Sequence, residues 1–112
     1  MLENTSVMLL YVTAASEDDA ARIGRALVEE HLCACANVLS PVRSFYRWDG
    51  RIQDEREAVL IAKTVAGQVE AATARIKELH SYQVPCVVAL PIHGGNAEFL
   101  EWVATETRGG RS

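Results

Sequence analysis

Few side chains in this sequence can do chemistry, and they fall into three groups. Cys33-Ala34-Cys35 sets two thiols on one face of an extended segment. Soft thiolates at that spacing suit copper or zinc. No second pair follows at zinc-finger spacing, and buried cysteine is also a common small core residue. His80 shares a helix-to-strand loop with Tyr82, where an imidazole can ligate a metal, cap a helix or simply face solvent. His31 stands alone, and His93 precedes two glycines in a turn that can help bind an anion or be no more than a turn. Glu57 and Lys63 fall on the same face of a strand. Inward charges on a half-buried strand want partners, so the pair marks a cleft, a solvated edge or an intersubunit salt bridge. No Ser/His/Asp spacing, nucleotide fingerprint or pair of catalytic carboxylates accompanies them. The chain is expected not to be an enzyme.

These residues hang on a long β-hairpin, residues 36 to 64, folded at Asp49-Gly50. Asp-Gly is the type I′ signal, because both central residues need positive φ. Folding there pairs Trp48 with Arg51 and Tyr46 with Gln53, and sets Arg43 against Arg56, a like-charge pair. Pro41 cannot donate to a ladder, so a bulge that shifts the pairing by one residue is expected near it. Arms of about thirteen residues at roughly 3.3 Å each reach about 40 Å. The longest helix on offer, Ser16 to about His31, spans only about 24 Å. The tip, with Phe45, Tyr46 and Trp48, therefore overhangs anything the same chain can lay on it, and another copy is the expected cover.

Around the hairpin, Val7 to Thr13 is a nearly continuous apolar strand, to be buried on both faces. Ser16 caps the first helix, whose inner stripe is Ala20, Ile23, Leu27 and His31, widened by Gly24 and Val28. A second helix starts near Gly67, with Val69, Ala72, Ile76 and Leu79 on one stripe. Cys86 to Leu90 is a short buried strand closed by Pro91, and Asn96 caps a last helix bearing Phe99, Leu100, Trp102 and Val103. The order β-α-β-β-α-β plus a C-terminal helix is the ferredoxin-like split βαβ plan, an α+β fold with an antiparallel sheet and both main helices on one face. The other face, apolar too, also asks for partner subunits.

Residues 1–112 make a single domain, with 1–6 and 108–112 expected to fray. An apolar content of 49% and a charged content of 23% are ordinary for a globular protein. A net charge of −4 argues against nucleic acid or an anionic membrane as partner. No apolar run approaches ~18 residues, and the N-terminus lacks the pattern of a signal peptide. Three cysteines, an odd number, fit a reducing cytoplasm.

Taken together, certain stretches carry a resemblance. Leu32 to Val38 (LCACANV), Tyr46 to Ile52 (YRWDGRI), Glu57, Lys63-Thr64, His80 to Pro85 (HSYQVP), Pro91 and Phe99 to Trp102 (FLEW) closely resemble the CutA divalent-cation tolerance proteins. The match runs from about Val7 to Val103. It implies a ferredoxin-like cytoplasmic homotrimer linked to tolerance of copper and other divalent metals. The family's bacterial copper site, a strand cysteine and two adjacent histidines, falls here on Val12, Leu79 and His80, of which only His80 can ligate. The resemblance therefore implies weak binding of copper or another divalent cation, with His80 as metal ligand and Cys35 as a weaker one. A more distant likeness to PII-type trimeric signal proteins implies the alternative, a binding or signalling module that takes a small ligand in intersubunit clefts near Glu57, Lys63 and Tyr82. Tyr46 and Trp48 are the expected interface residues, Trp48 the anchor.

Overall fold

The computed structural model describes residues 3–108. Its elements are β1 (Val7–Ala14), α1 (Glu17–Glu29), β2 (Cys35–Trp48), β3 (Arg51–Val65), a 3₁₀ turn (Ala66–Gln68), α2 (Val69–Leu79), β4 (Val87–Pro91) and α3 (Ala97–Glu106). The strands form one antiparallel sheet in the order β2-β3-β1-β4, the split βαβ topology expected from the element order.

The hairpin turns at Asp49 and Gly50, with φ of 57° and 75°, as a type I′ turn requires. Trp48 pairs with Arg51, Tyr46 with Gln53 and Arg43 with Arg56. Between Val42 and Leu39 the register shifts, so that Leu39 meets Val59 and Val38 meets Leu60. The bulge at Pro41 is where its missing N–H would have broken the ladder. The like-charge pair is relieved diagonally: Arg43 donates from Nε and Nη2 to the two carboxylate oxygens of Asp54, at 2.9 and 2.8 Å. The molecule's longest dimension, 43 Å, is close to the length expected of the arm.

Ser16 caps α1, its hydroxyl accepting from the Asp19 amide. Ala20, Ile23, Gly24 and Leu27 face the sheet, where they pack with Ala72 and Ile76 of α2 over Leu10, Val12, Ala58, Leu60 and Ala62. Fully burying each such Leu, Ile or Val stabilises the fold by about 1.5–3 kcal/mol. Two members of the expected stripe do not belong to it. Val28 stays exposed, and His31 lies beyond the helix end with φ 60° and is exposed. Arg75 of α2 clamps Glu30 through Nε and Nη2, and Arg22 of α1 donates to the Leu79 carbonyl at 2.9 Å. Those two arginines fix the end of α2, and so the loop that follows.

The second face of the sheet is not wholly bare. Val103 of α3 is fully buried against Val7, Ala34 and Val65 at one end. The rest stays open, with Tyr11, Val88 and Leu90 exposed. The expected buried strand at 86–90 is thus an exposed edge, and Cys86 lies outside it. Asn4 and Ser6, expected to fray, accept from Gly67 and Ala66; residues 1–2 and 109–112 lie outside the described residues.

Candidate functional site

His80 follows the last residue of α2 in an extended conformation (φ −77°, ψ 143°), its amide still bonded to Ile76. The Tyr82 amide donates to Nδ1 at 3.0 Å. Nδ1 is therefore an acceptor and the ring proton sits on Nε2, which donates to the Thr13 carbonyl at 2.7 Å. Thr13 lies just past the last β1–β4 pair, Val12 with Val87. His80 thus satisfies a strand carbonyl and shapes the 80–82 turn, and its ring lies 4.7 Å from that of Tyr82.

Tyr82 extends the chain of contacts. Its hydroxyl donates to Glu57 Oε2 at 2.6 Å, and Glu57, in the middle of β3, is only 7% exposed. Burial and then the bond to Glu57 raise the Tyr82 phenol well above its usual value. Nearby, Tyr46 donates to Glu55, and that bond, with a lesser contribution from burial, pushes its phenol up to about 12. A cavity of about 710 Å³ opens here between the hairpin arm and the 82–86 loop. Phe45, Tyr46, Trp48, Glu57, Tyr82 and Val84 are among its lining residues, and the volume lies within the range of small-molecule sites.

The candidate residues therefore separate. Glu57, Tyr82, Tyr46 and Trp48 come together around one cavity, with His80 behind Tyr82. Lys63 does not join them. It shares Glu57's strand face but lies six residues along β3, roughly 20 Å away, bonded to Asn37 Oδ1 and near the Phe99 ring. Cys35 is placed at that same far end, paired with Lys63. Cys33 is not on the strand with it. It precedes β2 and is buried in the helix-side core, where burial chiefly raises its thiol to about 12. His31 bonds the Glu106 carbonyl through Nδ1.

No group of three His, Cys, Asp or Glu side chains that could hold a metal occurs among the described residues. A metal at His80 would need a ring lone pair that now accepts from Tyr82, or the loss of the Nε2 proton and its bond to Thr13. The described residues of one chain thus present no ready cluster for a resident metal ion. The sequence reading missed Phe45, Val84 and Thr13 as cavity wall. Only the aromatic content of the hairpin tip hinted at the first of them.

The sequence matches the model of the CutA1 divalent ion tolerance protein family over residues 8–106. It is 41% identical over 99 residues to the divalent-cation tolerance protein CutA of Thermus thermophilus, covering 88% of this chain and 96% of that protein. It is 38% identical over 111 residues to the chloroplastic protein CutA 1 of Oryza sativa, covering 96% of this chain and 63% of that longer protein. The solved structure of the periplasmic divalent cation tolerance protein CutA from Archaeoglobus fulgidus superposes with a TM-score of 0.88 at 36% identity, covering 91% of this chain and 99% of that one. Fold, motif order and sequence agree along almost the whole chain, which belongs to the CutA1 divalent ion tolerance family.

Proposed function

We propose that this chain assembles as a homotrimer and takes part, without catalysing a reaction, in cytoplasmic tolerance of copper and other divalent cations. The observation that carries the assembly is the apolar surface a single chain leaves in water. Phe45 is 64% exposed, Ile52 62% and Trp48 56%, all at the hairpin tip, and Val88 and Leu90 are half exposed on the second sheet face. Two separate surfaces, an overhanging arm and an open face, are covered together by a closed threefold ring that leaves no growing edge. The family membership supports the link to divalent cations. The hydrogen bonds of His80 support a weak, competing interaction with a metal rather than a resident ion, because ligation must displace Tyr82 or Thr13.

Light scattering at low micromolar concentration tests the assembly. A trimer is expected, and Trp48→Ala should loosen it by about 30-fold per site, the equivalent of a ~2 kcal/mol anchor. A stable wild-type monomer would refute the trimer. Calorimetric titration with Cu²⁺ tests the metal reading: weak, substoichiometric binding is expected, largely lost in His80→Ala. One tightly held copper per chain that survives His80→Ala would overturn it and turn attention to Cys35.

A further inference from the structure

We propose that Glu57 of each copy forms an ion pair with Lys63 of the next, and that three such pairs close the ring. The pairing rests on the trimeric assembly argued above and names the charged contact that sets its register.

The sequence of β3 carries the pattern. On the face that α1 and α2 leave open, alternate residues run Glu57, Val59, Ile61 and Lys63: an acid, two apolar side chains and a base. Glu57 is 7% exposed. Its Oε2 accepts from Tyr82, a neutral donor, and among the described residues no Lys, Arg or His stands within ion-pair distance of it. Lys63 is half-buried and equally short of an opposite charge. Its ammonium donates to Asn37 Oδ1 at 3.3 Å and lies 6.0 Å from the centre of the Phe99 ring. Its partners across the two ladders are Leu9 and Cys35. A buried charge is costly until an opposite charge reaches it. Covering this face with another copy buries both groups further and enlarges that cost.

Within one chain the two cannot meet, because six residues of strand hold them roughly 20 Å apart. A head-to-tail contact removes the difficulty: there residue i of one copy touches residue j of the next. Three β3 segments laid as the sides of a triangle bring each Glu57 to a neighbour's Lys63, and every charge is used once. The apolar pair between them, Val59 and Ile61, then lines the sides. The rest of the open face offers no competing charge, since β1 presents Leu9, Tyr11 and Thr13 there, and β4 presents Val88 and Leu90. The other charges on this face of β3 belong to the hairpin tip: Glu55 is bonded to Tyr46, and Arg51 is exposed beside the turn. Free ions would have to be two, of opposite sign, for each chain, whereas one neighbouring surface supplies both groups.

The test reads the trimer–monomer equilibrium of the full chain by light scattering. Glu57→Lys and Lys63→Glu each set like charges together and should weaken assembly about 30-fold or more per interface. The double variant should recover to within about tenfold of wild type. Glu57→Gln keeps an acceptor for Tyr82 and for the neighbour's lysine, so its loss should stay under about fivefold. Should Glu57→Lys fail to fold, cross-linking decides. With Cys35→Ser and Cys86→Ser removing the reachable native thiols, Glu57→Cys combined with Lys63→Cys and a short bis-maleimide should give a covalent trimer on a denaturing gel. Either new cysteine alone should give single chains, because like residues occupy different corners. Charge reversals that assemble like wild type overturn the pairing and leave the trimer standing. So does a double variant no better than the singles, or rescue of Glu57→Lys by Arg51→Glu instead. Covalent dimers, or single chains from an assembled double-cysteine variant, overturn the head-to-tail contact. A wild-type monomer overturns the trimer itself, and the pairing with it.

Discussion

Replacing Tyr82 with Phe removes a single oxygen and isolates a buried charge. The ring remains, so its packing on His80 and its place in the cavity wall persist. What disappears is the 2.6 Å bond to Glu57 Oε2. A hydrogen bond between exposed partners would contribute only about 1 kcal/mol. Glu57, however, is 7% exposed, and stranding a buried acceptor costs about 1–3 kcal/mol, more when it is charged. We therefore expect Tyr82→Phe to destabilise the protein by about 2–3 kcal/mol. Glu57→Gln keeps an acceptor for the phenol and discards the charge, so it should cost under about 1 kcal/mol. Tyr82→Phe with Glu57→Leu removes both polar groups and should cost less than the sum of the single changes by about 1.5 kcal/mol or more. Urea unfolding at one fixed protein concentration measures the cycle, since an assembling protein's stability depends on concentration. Additivity within about 0.5 kcal/mol would refute the coupling between the two groups.

Gly24→Ala should destabilise the protein despite the helical gain of about 1 kcal/mol: its Cβ would lie 2.9 Å from Leu60 Cδ1 and 3.2 Å from Ala36 Cβ, and overpacking costs about 1–3 kcal/mol. Adding Leu60→Val should relieve part of that loss, which thermal melts would register. Raising pH should weaken the fold through Cys33. Burial pushes its thiol up from an ordinary value of 9.0 to about 12, so from pH 9 upward the unfolded chain releases the proton first and stability falls until the folded thiol also ionises. Cys33→Ala should flatten that slope in pH-dependent unfolding. Alkylation followed by peptide mass analysis should find exposed Cys86 modified well before buried Cys33. Ultraviolet titration should show one late-ionising phenol fewer in Tyr46→Phe, because Glu55 holds that proton until pH rises to about 12.

Much of the fold follows from local rules that act over a few residues. Asp49-Gly50 makes the turn because few other pairs adopt two positive φ values. Pro41 shifts the register because it has no N–H to donate, and Ser16 starts α1 because its hydroxyl reaches the Asp19 amide. The apolar periods of the strands and helices then leave the split βαβ arrangement as the economical way to bury them. The overhang of the hairpin is equally a matter of length, since rise per residue is a property of the element and not of its surroundings.

The site is another matter. Period two tells which face of β3 bears Glu57 and Lys63, but not that one end of that face meets the 82–86 loop while the other meets α3. That difference put Lys63 and Cys35 far from the cavity. His80 looks like an available ligand when only its residue type is known. Its two nitrogens are occupied because α2 ends where the turn folds its ring between the Tyr82 amide and the Thr13 carbonyl. Cys33 looked like a strand partner of Cys35 by alternation, yet the chain enters the core before the strand begins, and its thiol is buried under the helices. Local chemistry and periodicity thus determined the elements and their order. Which side chains share a cavity, and which lone pairs remain for a ligand, was decided by contacts such as Tyr82–Glu57, 25 residues apart, because no residue's own backbone preference encodes where a distant loop comes to rest.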